Sequence, residues 1–311
     1  MSAVAFERNT LSISVVPGVA GQAASVNAFP PSFLSLVSNV RTIKHGDGQE
    51  PLQATPSVEK VGIKVQIRGT IEVNSAPAIL VRRVDDPRLM PGFALADTLR
   101  MLGLNVANAV ELGTLDNEPL LAQRTSPELS SLAQSLGKES DNFTAEMLVK
   151  ALGAHATSHM GSSVDGMDVI RRFAEQIHPL APGTRLMNGS GLYDANRLSA
   201  RLLTELLSKM RDDVHLGPEF LSSLAVAGRD GTLRKRLGSH AATAVVRAKT
   251  GTLNGAVSLS GYLDHEKSAE SWVFSVVVNG IDSTSLVRQK IDEFVSSLID
   301  AMPAEGEEPS R

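Results

Sequence analysis

The stretch Ala244 to Val278, AVVRAKTGTLNGAVSLSGYLDHEKSAESWVFSVVV, decides how the rest of the chain is read. It holds runs rich in β-branched and aromatic residues: Ala244 to Val246 leading into Lys249-Thr250-Gly251, then Val257 to Leu263, then Trp272 to Val278. Gly255 and Asp264-His265 separate them as turns, so short antiparallel strands are expected. On either side the period changes to that of a helix. Val287, Ile291, Phe294, Val295, Leu298 and Met302 share a face from about Ser283, and Leu202, Leu203, Leu206, Leu207 and Met210 share one behind Ser199 as a cap. Further helices are expected over 91–102, stopped by Gly103, over 144–152, ended by Gly153, and over 164–177. Another should start at Ser126-Pro127-Glu128, a capping residue, an N1 proline and an early acid, and run to about Ser135. Before residue 88 the period is two: Leu11, Ile13 and Val15 alternate with polar positions, as do Val61, Ile63, Val65 and Ile67, then Ile71 and Val73. Pro17-Gly18, Pro30-Pro31, His45 to Gly48 and Asn74-Ser75 punctuate these strands. The expected organisation is α+β: a small β-rich domain over 1–87, an antiparallel sheet flanked by helices over 88–302, and a disordered tail over 303–311.

At 311 residues the chain buries a sizeable core without difficulty, and its 42% hydrophobic and 21% charged content is that of a globular protein. Thirty basic against thirty-four acidic residues give a net charge of −4, with no basic stripe, so a nucleic-acid partner is not expected. The absence of cysteine removes disulfides, thiol catalysis and cysteine-type zinc sites. Met1 to Val16 has neither a charged n-region nor an unbroken apolar run, so no export signal is read there. No apolar run approaches the ~20 residues that span a bilayer.

Two triplets carry chemistry, Ser140-Asp141-Asn142 and Lys249-Thr250-Gly251. Either alone would turn up by composition in roughly one chain in twenty of this length. Each also has a plainer use: Ser140 or Asn142 as the cap of a helix near Thr144, Lys249 as a solvated lysine, Thr250-Gly251 as a strand end. Asn188 to Gly191 reads by default as a turn. The seven histidines show no ligand spacing, and no metal site is expected.

Longer segments shift that balance: Lys138-Glu-Ser-Asp-Asn-Phe-Thr-Ala-Glu-Met-Leu148, Asn188-Gly-Ser-Gly-Leu-Tyr-Asp-Ala-Asn-Arg-Leu198, Ala227-Gly-Arg-Asp-Gly-Thr-Leu-Arg-Lys-Arg236 and Arg247-Ala-Lys-Thr-Gly-Thr-Leu253. In this order they resemble the D-alanyl-D-alanine carboxypeptidases/endopeptidases of the penicillin-binding type, peptidase family S13. Nearly all of the chain looks like the C-terminal two-thirds of such a protein, and Val61 to Ala76 resembles the strand region of the family's inserted domain. The resemblance implies part of a penicillin-binding/serine β-lactamase-like transpeptidase domain, preceded by a small β-rich inserted domain. The implied substrate is the D-Ala-D-Ala end or D-amino-acid crosslink of a peptidoglycan stem peptide, with β-lactams as mimics, in the cell envelope or periplasm and without a cofactor. By similarity Lys249 adds positive potential and Thr250 a hydroxyl for the substrate carboxylate. The strand through Gly251 and Thr252 would pair with the peptide, the Thr252 N–H supplying half of an oxyanion hole. Ser140 would relay a proton, and Asn142 would bind a substrate amide and hold the general-base lysine.

That family's signature has a third element, Ser-x-x-Lys, whose serine is the nucleophile. It needs a serine at a helix N-terminus with a lysine one turn on. Ser57/Lys60 leads into a strand pattern, where residues three apart face opposite ways, and Ser135/Lys138 sits at the C-terminal end of a helix beside Ser140. Neither fits. The expectation is therefore a chain that begins after the family's nucleophile motif and is catalytically incomplete alone. The alternatives are a non-catalytic stem-peptide-binding module, or one half of a split enzyme completed by another chain. An uncovered sheet edge and apolar face are expected to accompany such a chain.

Overall fold

The computed structural model of the chain describes residues 4–302 apart from 108, 114–118, 241, 242, 267 and 269; the tail expected over 303–311 lies outside the described residues. The chain divides into two compact units, Met1–Ala122 and Gln123–Arg311.

The first unit contains β1 (Thr10–Val16), β2 (Ser25–Ala28), β3 (Leu34–Ile43), β4 (Gln53–Val58), β5 (Ile63–Glu72), β6 (Ala78–Arg83) and α1 (Met90–Met101). The strands form two three-stranded sheets, β2-β1-β6 and β3-β5-β4, with β3 parallel to β5 and the other pairs antiparallel. Alternation explains the core. β1 turns Leu11, Ile13 and Val15 inward, β5 turns Ile63, Val65, Ile67 and Ile71 inward, and all join one apolar cluster. Burying each such side chain fully contributes about 1.5–3 kcal/mol. β5 is a single strand where the sequence reading placed two stretches, and Val61 lies exposed in the turn before it. The division into compact units falls between Ala122 and Gln123, and α1 packs on the β-rich unit. Met90 and Phe93 enter its core. Buried Asp97 accepts the Ser32 N–H at 2.9 Å and bonds Arg100 at 2.7 Å, tying the helix to the chain before β3.

The second unit contains α2 (Leu129–Glu139), α3 (Asn142–Thr157), α4 (Ser163–Ile177), α5 (Ala200–Asp212), α6 (Gly217–Ser223), β7 (Ala225–Val226), β8 (Ala244–Leu253), β9 (Ala256–His265), β10 (Ser271–Asn279) and α7 (Thr284–Asp300). One antiparallel sheet runs in the order β10-β9-β8-β7. Its faces are covered by different helices. Val257, Leu259 and Leu263 of β9 cluster with Ile291, Val295 and Ile299 of α7. Tyr262, of opposite parity, packs with Leu207 of α5 and Leu224, and its hydroxyl donates to the Leu207 carbonyl at 2.7 Å. Burial pushes the Tyr262 phenol up to about 12, with Asp212 and Asp264 adding to the rise and Arg211 opposing it. Ser199 caps α5 by accepting the Leu202 N–H. Ser126 does not cap α2, which begins later, at Leu129 behind Glu128. Among the described residues β10 has β9 as its one strand neighbour, so its other edge is open. No helix among the described residues is long and apolar enough to cross a membrane.

Candidate active site

The junction between α2 and α3 places the first triplet. Ser140 ends α2 in the left-handed conformation, φ 56° and ψ 50°. Asp141 then starts α3: its carboxylate accepts the N–H groups of Phe143 at 3.1 Å and Thr144 at 3.3 Å, and the Thr144 hydroxyl at 2.9 Å. The cap is thus Asp141, not Ser140 or Asn142. That leaves the Ser140 hydroxyl for a partner from outside the helix pair.

The partner is Lys249. β8 turns Val246 and Ala248 toward the α7 side, so period-2 alternation sends Lys249 to the other face. There its Nζ donates to Ser140 Oγ at 2.7 Å and to the Thr250 carbonyl at 3.0 Å. Burial pushes the Lys249 amine below its ordinary 10.5, and no charged neighbour among the described residues offsets that. The Thr250 hydroxyl donates to Thr232 Oγ1 at 2.9 Å.

Beside this pair the sheet edge is open. β7 pairs with β8 only at Arg247 and Ala248, whereas β9 continues along the other side to Leu253. The Val246 carbonyl accepts the Ala227 N–H on the β7 side at 3.0 Å. Alternation along an antiparallel strand then aims the N–H and C=O of Thr250 and Thr252 at that same side, beyond the reach of β7. Gly251 pairs with Ser258, and a Cβ at 251 would run into the Ser258 hydroxyl. The lack of a side chain at 251 accommodates that cross-strand neighbour. Asn142 stands exposed as the first residue of α3. Ser140, Lys249, Thr250 and Thr252 are therefore gathered along one edge, while Asn142 makes no described contact with Lys249.

The surrounding segments act as braces, which the sequence reading missed. Lys138, two residues before Ser140, forms an ion pair with Asp230 and donates to the Leu224 carbonyl at 3.3 Å. Buried Glu146 on α3 accepts the Ser190 N–H at 2.9 Å. Asn188 Oδ1 accepts the Gly191 N–H at 2.8 Å, and Asn196 Oδ1 accepts the Met187 N–H at 2.7 Å. The stretch read as a turn is thus a loop locked against α3, with Gly189 lying on Ala145 and Val149. The signal was present in the sequence, since Lys138, Glu146, Asn188, Asn196, Asp230 and Thr232 all belong to the segments that carry the resemblance.

Neither Ser-x-x-Lys pair forms a nucleophilic site. Ser57 is in β4, bonded to the Lys64 carbonyl at 3.3 Å, and Lys60 lies in the turn that follows. Ser135 is exposed in the last turns of α2, and Lys138 is engaged by Asp230. Among the described residues no group of three or more His, Asp or Glu is placed to hold a metal ion. The chemistry available is attraction of an anion, donation from a strand edge, and proton exchange between a hydroxyl and a desolvated amine.

Residues 1–298 match the model of the D-Ala-D-Ala carboxypeptidase 3 (S13) family. The chain is 30% identical over 286 residues to a D-alanyl-D-alanine carboxypeptidase of Actinomadura sp. strain R39, a match covering 88% of this chain and 52% of that protein. It is 26% identical over 229 residues to D-alanyl-D-alanine carboxypeptidase DacB of Haemophilus influenzae, covering 72% of this chain and 47% of that one. The chain spans about half the length of these curated relatives. The crystal structure of penicillin binding protein 4 (dacB) from Haemophilus influenzae superposes with a TM-score of 0.70 at 21% identity, covering 94% of this chain and 66% of that one. The same protein in complex with a novel β-lactam gives a TM-score of 0.69. The fold is α+β of the penicillin-binding, β-lactamase-like type.

Proposed function

The chain belongs to the D-Ala-D-Ala carboxypeptidase 3 (S13) family, and from that premise we propose that it forms the substrate-binding wall of a serine-type D-Ala-D-Ala carboxypeptidase/endopeptidase acting on peptidoglycan stem peptides in the cell envelope. The observation that carries this reading is the 2.7 Å contact between Lys249 and Ser140 beside the open edge of β8. An extended peptide adds to that edge as a further strand, as strand-edge recognition does generally. Its C-terminal carboxylate is drawn by the Lys249 ammonium and accepts a hydrogen bond from the Thr250 hydroxyl, which turns from Thr232 to make it. The scissile carbonyl oxygen takes the Thr252 N–H, where negative charge develops as the tetrahedral intermediate forms. Ser140 passes a proton between Lys249 and the leaving amine, and Asn142 meets a substrate amide. β-Lactams engage the same edge as mimics of the peptide. The nucleophilic serine and its general-base lysine are supplied from outside these residues, because neither Ser-x-x-Lys pair here stands at a helix N-terminus.

A second reading follows from the same open edge: a stem-peptide-binding module without chemistry of its own, or one half of a split enzyme. Labelling with a fluorescent penicillin distinguishes them. The favoured reading expects no label on the chain alone and a labelled serine once a Ser-x-x-Lys segment is joined to it, whereas label carried only by a separate, co-purified chain would favour the split enzyme. Reversible stem-peptide binding with no acylation under either condition would favour the module, and a labelled serine among these 311 residues would overturn the assignment of the nucleophile.

A further inference from the structure

Ser140 and Lys249 come from separate elements, a helix junction and a strand, so some contact must set their spacing. We propose that the Lys138–Asp230 ion pair is a positioning device that clamps the end of α2 to β7 and thereby holds the Ser140 hydroxyl on Lys249. Asp230 serves as the positioning residue. One carboxylate oxygen accepts the Val226 N–H at 2.8 Å, and the other accepts the Lys138 ammonium. Val226 and Ala225 pair with Arg247 and Ala248, the residues just before Lys249. Lys138 reaches both ends of β7, donating to Leu224 before it and Asp230 after it. Two glycines allow the approach. A Cβ on Gly137 would strike the Ser223 carbonyl, and one on Gly231 would lie 2.5 Å from the Lys138 carbonyl. Side-chain exposures of 18% for Lys138 and 37% for Asp230 mean that the pair is partly withdrawn from solvent, where such contacts hold better than on an open surface. Burial alone would raise the Asp230 carboxyl. The Lys138 and Val226 hydrogen bonds, with the charges of Lys138 and Arg247, outweigh it and hold the group below its ordinary 3.8.

This inference rests on the reading that Ser140 and Lys249 serve one site, but its test needs no peptide or β-lactam, so the two can fail separately. The chain has no cysteine, which makes Ser140→Cys a unique reporter. A thiol beside the Lys249 ammonium ionises below the ordinary value of about 8.5, and the pH dependence of its alkylation by iodoacetamide, read by mass spectrometry, gives that value. Adding Asp230→Asn should move the thiol back up toward the ordinary value, because the hydroxyl position drifts from the ammonium. The direct electrostatic effect has the opposite sign, since deleting a nearby negative charge favours the thiolate. A merely structural role would lower the melting temperature and leave the folded-state thiol unmoved. Gly231→Ala changes no charge but pushes on the Lys138 carbonyl; it should raise the thiol in the same way, and it decides the matter if Asp230→Asn does not fold. A thiol unmoved or lowered in the folded variant would overturn the proposal.

Discussion

The sheet of the second unit has two exposed strand edges, and they are built differently. Along β10 the outer edge belongs to Ser271–Asn279, a run of β-branched and aromatic residues with no charge. Along β8 the open portion starts at Lys249 and carries Thr250 and Thr252, with Ser140 brought against it by a helix junction. Both present backbone donors and acceptors to any extended chain. Under the proposed function the β8 edge selects its partner and the β10 edge does not. What sets the β8 edge apart is a charge, two hydroxyl-bearing residues and a serine held 2.7 Å from an amine, whereas apolar composition alone makes an edge prone to indiscriminate pairing.

Changes to the shared frame break both edges at once and carry the largest effect. Leu259 of β9, fully buried in the cluster shared with α7, has no polar role. Leu259→Ala should cost about 2–5 kcal/mol, as truncation in a packed core does, seen as a lowered denaturation midpoint by circular dichroism. Next comes the discriminating edge. Lys249→Met should weaken binding of an acetylated D-Ala-D-Ala peptide by the free energy of a charge-assisted hydrogen bond, about 1.5–3 kcal/mol or roughly 10-fold to 100-fold, by calorimetry, with the fold intact. Its pH dependence has a definite sign. The ammonium is present below the folded-state value and lost above it, and burial sets that value below 10.5. Affinity should therefore fall on the alkaline side at a lower pH than an ordinary lysine would give. Unchanged affinity in Lys249→Met would remove the distinction between the two edges. The smallest effect on stability falls at β10. Val277 is 38% exposed, and Val277→Lys should change stability by no more than about 0.5 kcal/mol while reducing self-association in light scattering.

The same contrast explains what could be read from the sequence. β8, β9 and β10 were legible because period-2 patterning and turn residues are local. β3 was not: its partner in the register is the parallel strand β5, and it buries only Val40 and Thr42 while exposing Val37, so no alternation announces it. α6 is too short for a periodic face. An amphipathic helix does not state in its sequence which core it will cover. For α1 the answer lies in a bond between Asp97 and Ser32, distant in sequence. In the site, motif spacing pointed to Ser140, Lys249 and Thr250, and the structure gathers them. Lys138 and Asp230 went unread because their meaning is pairwise, and neither triplet contains them.

Ser140 belongs to no helical rung: it is the single left-handed residue between α2 and the Asp141 that begins α3. Adding or removing one residue in α2 just before it would turn its hydroxyl by about 100° around the helix axis, away from Lys249. Chain length at this joint is therefore fixed by the contact between Ser140 and Lys249. Insertions and deletions, more than substitutions, are the changes this site is least built to absorb.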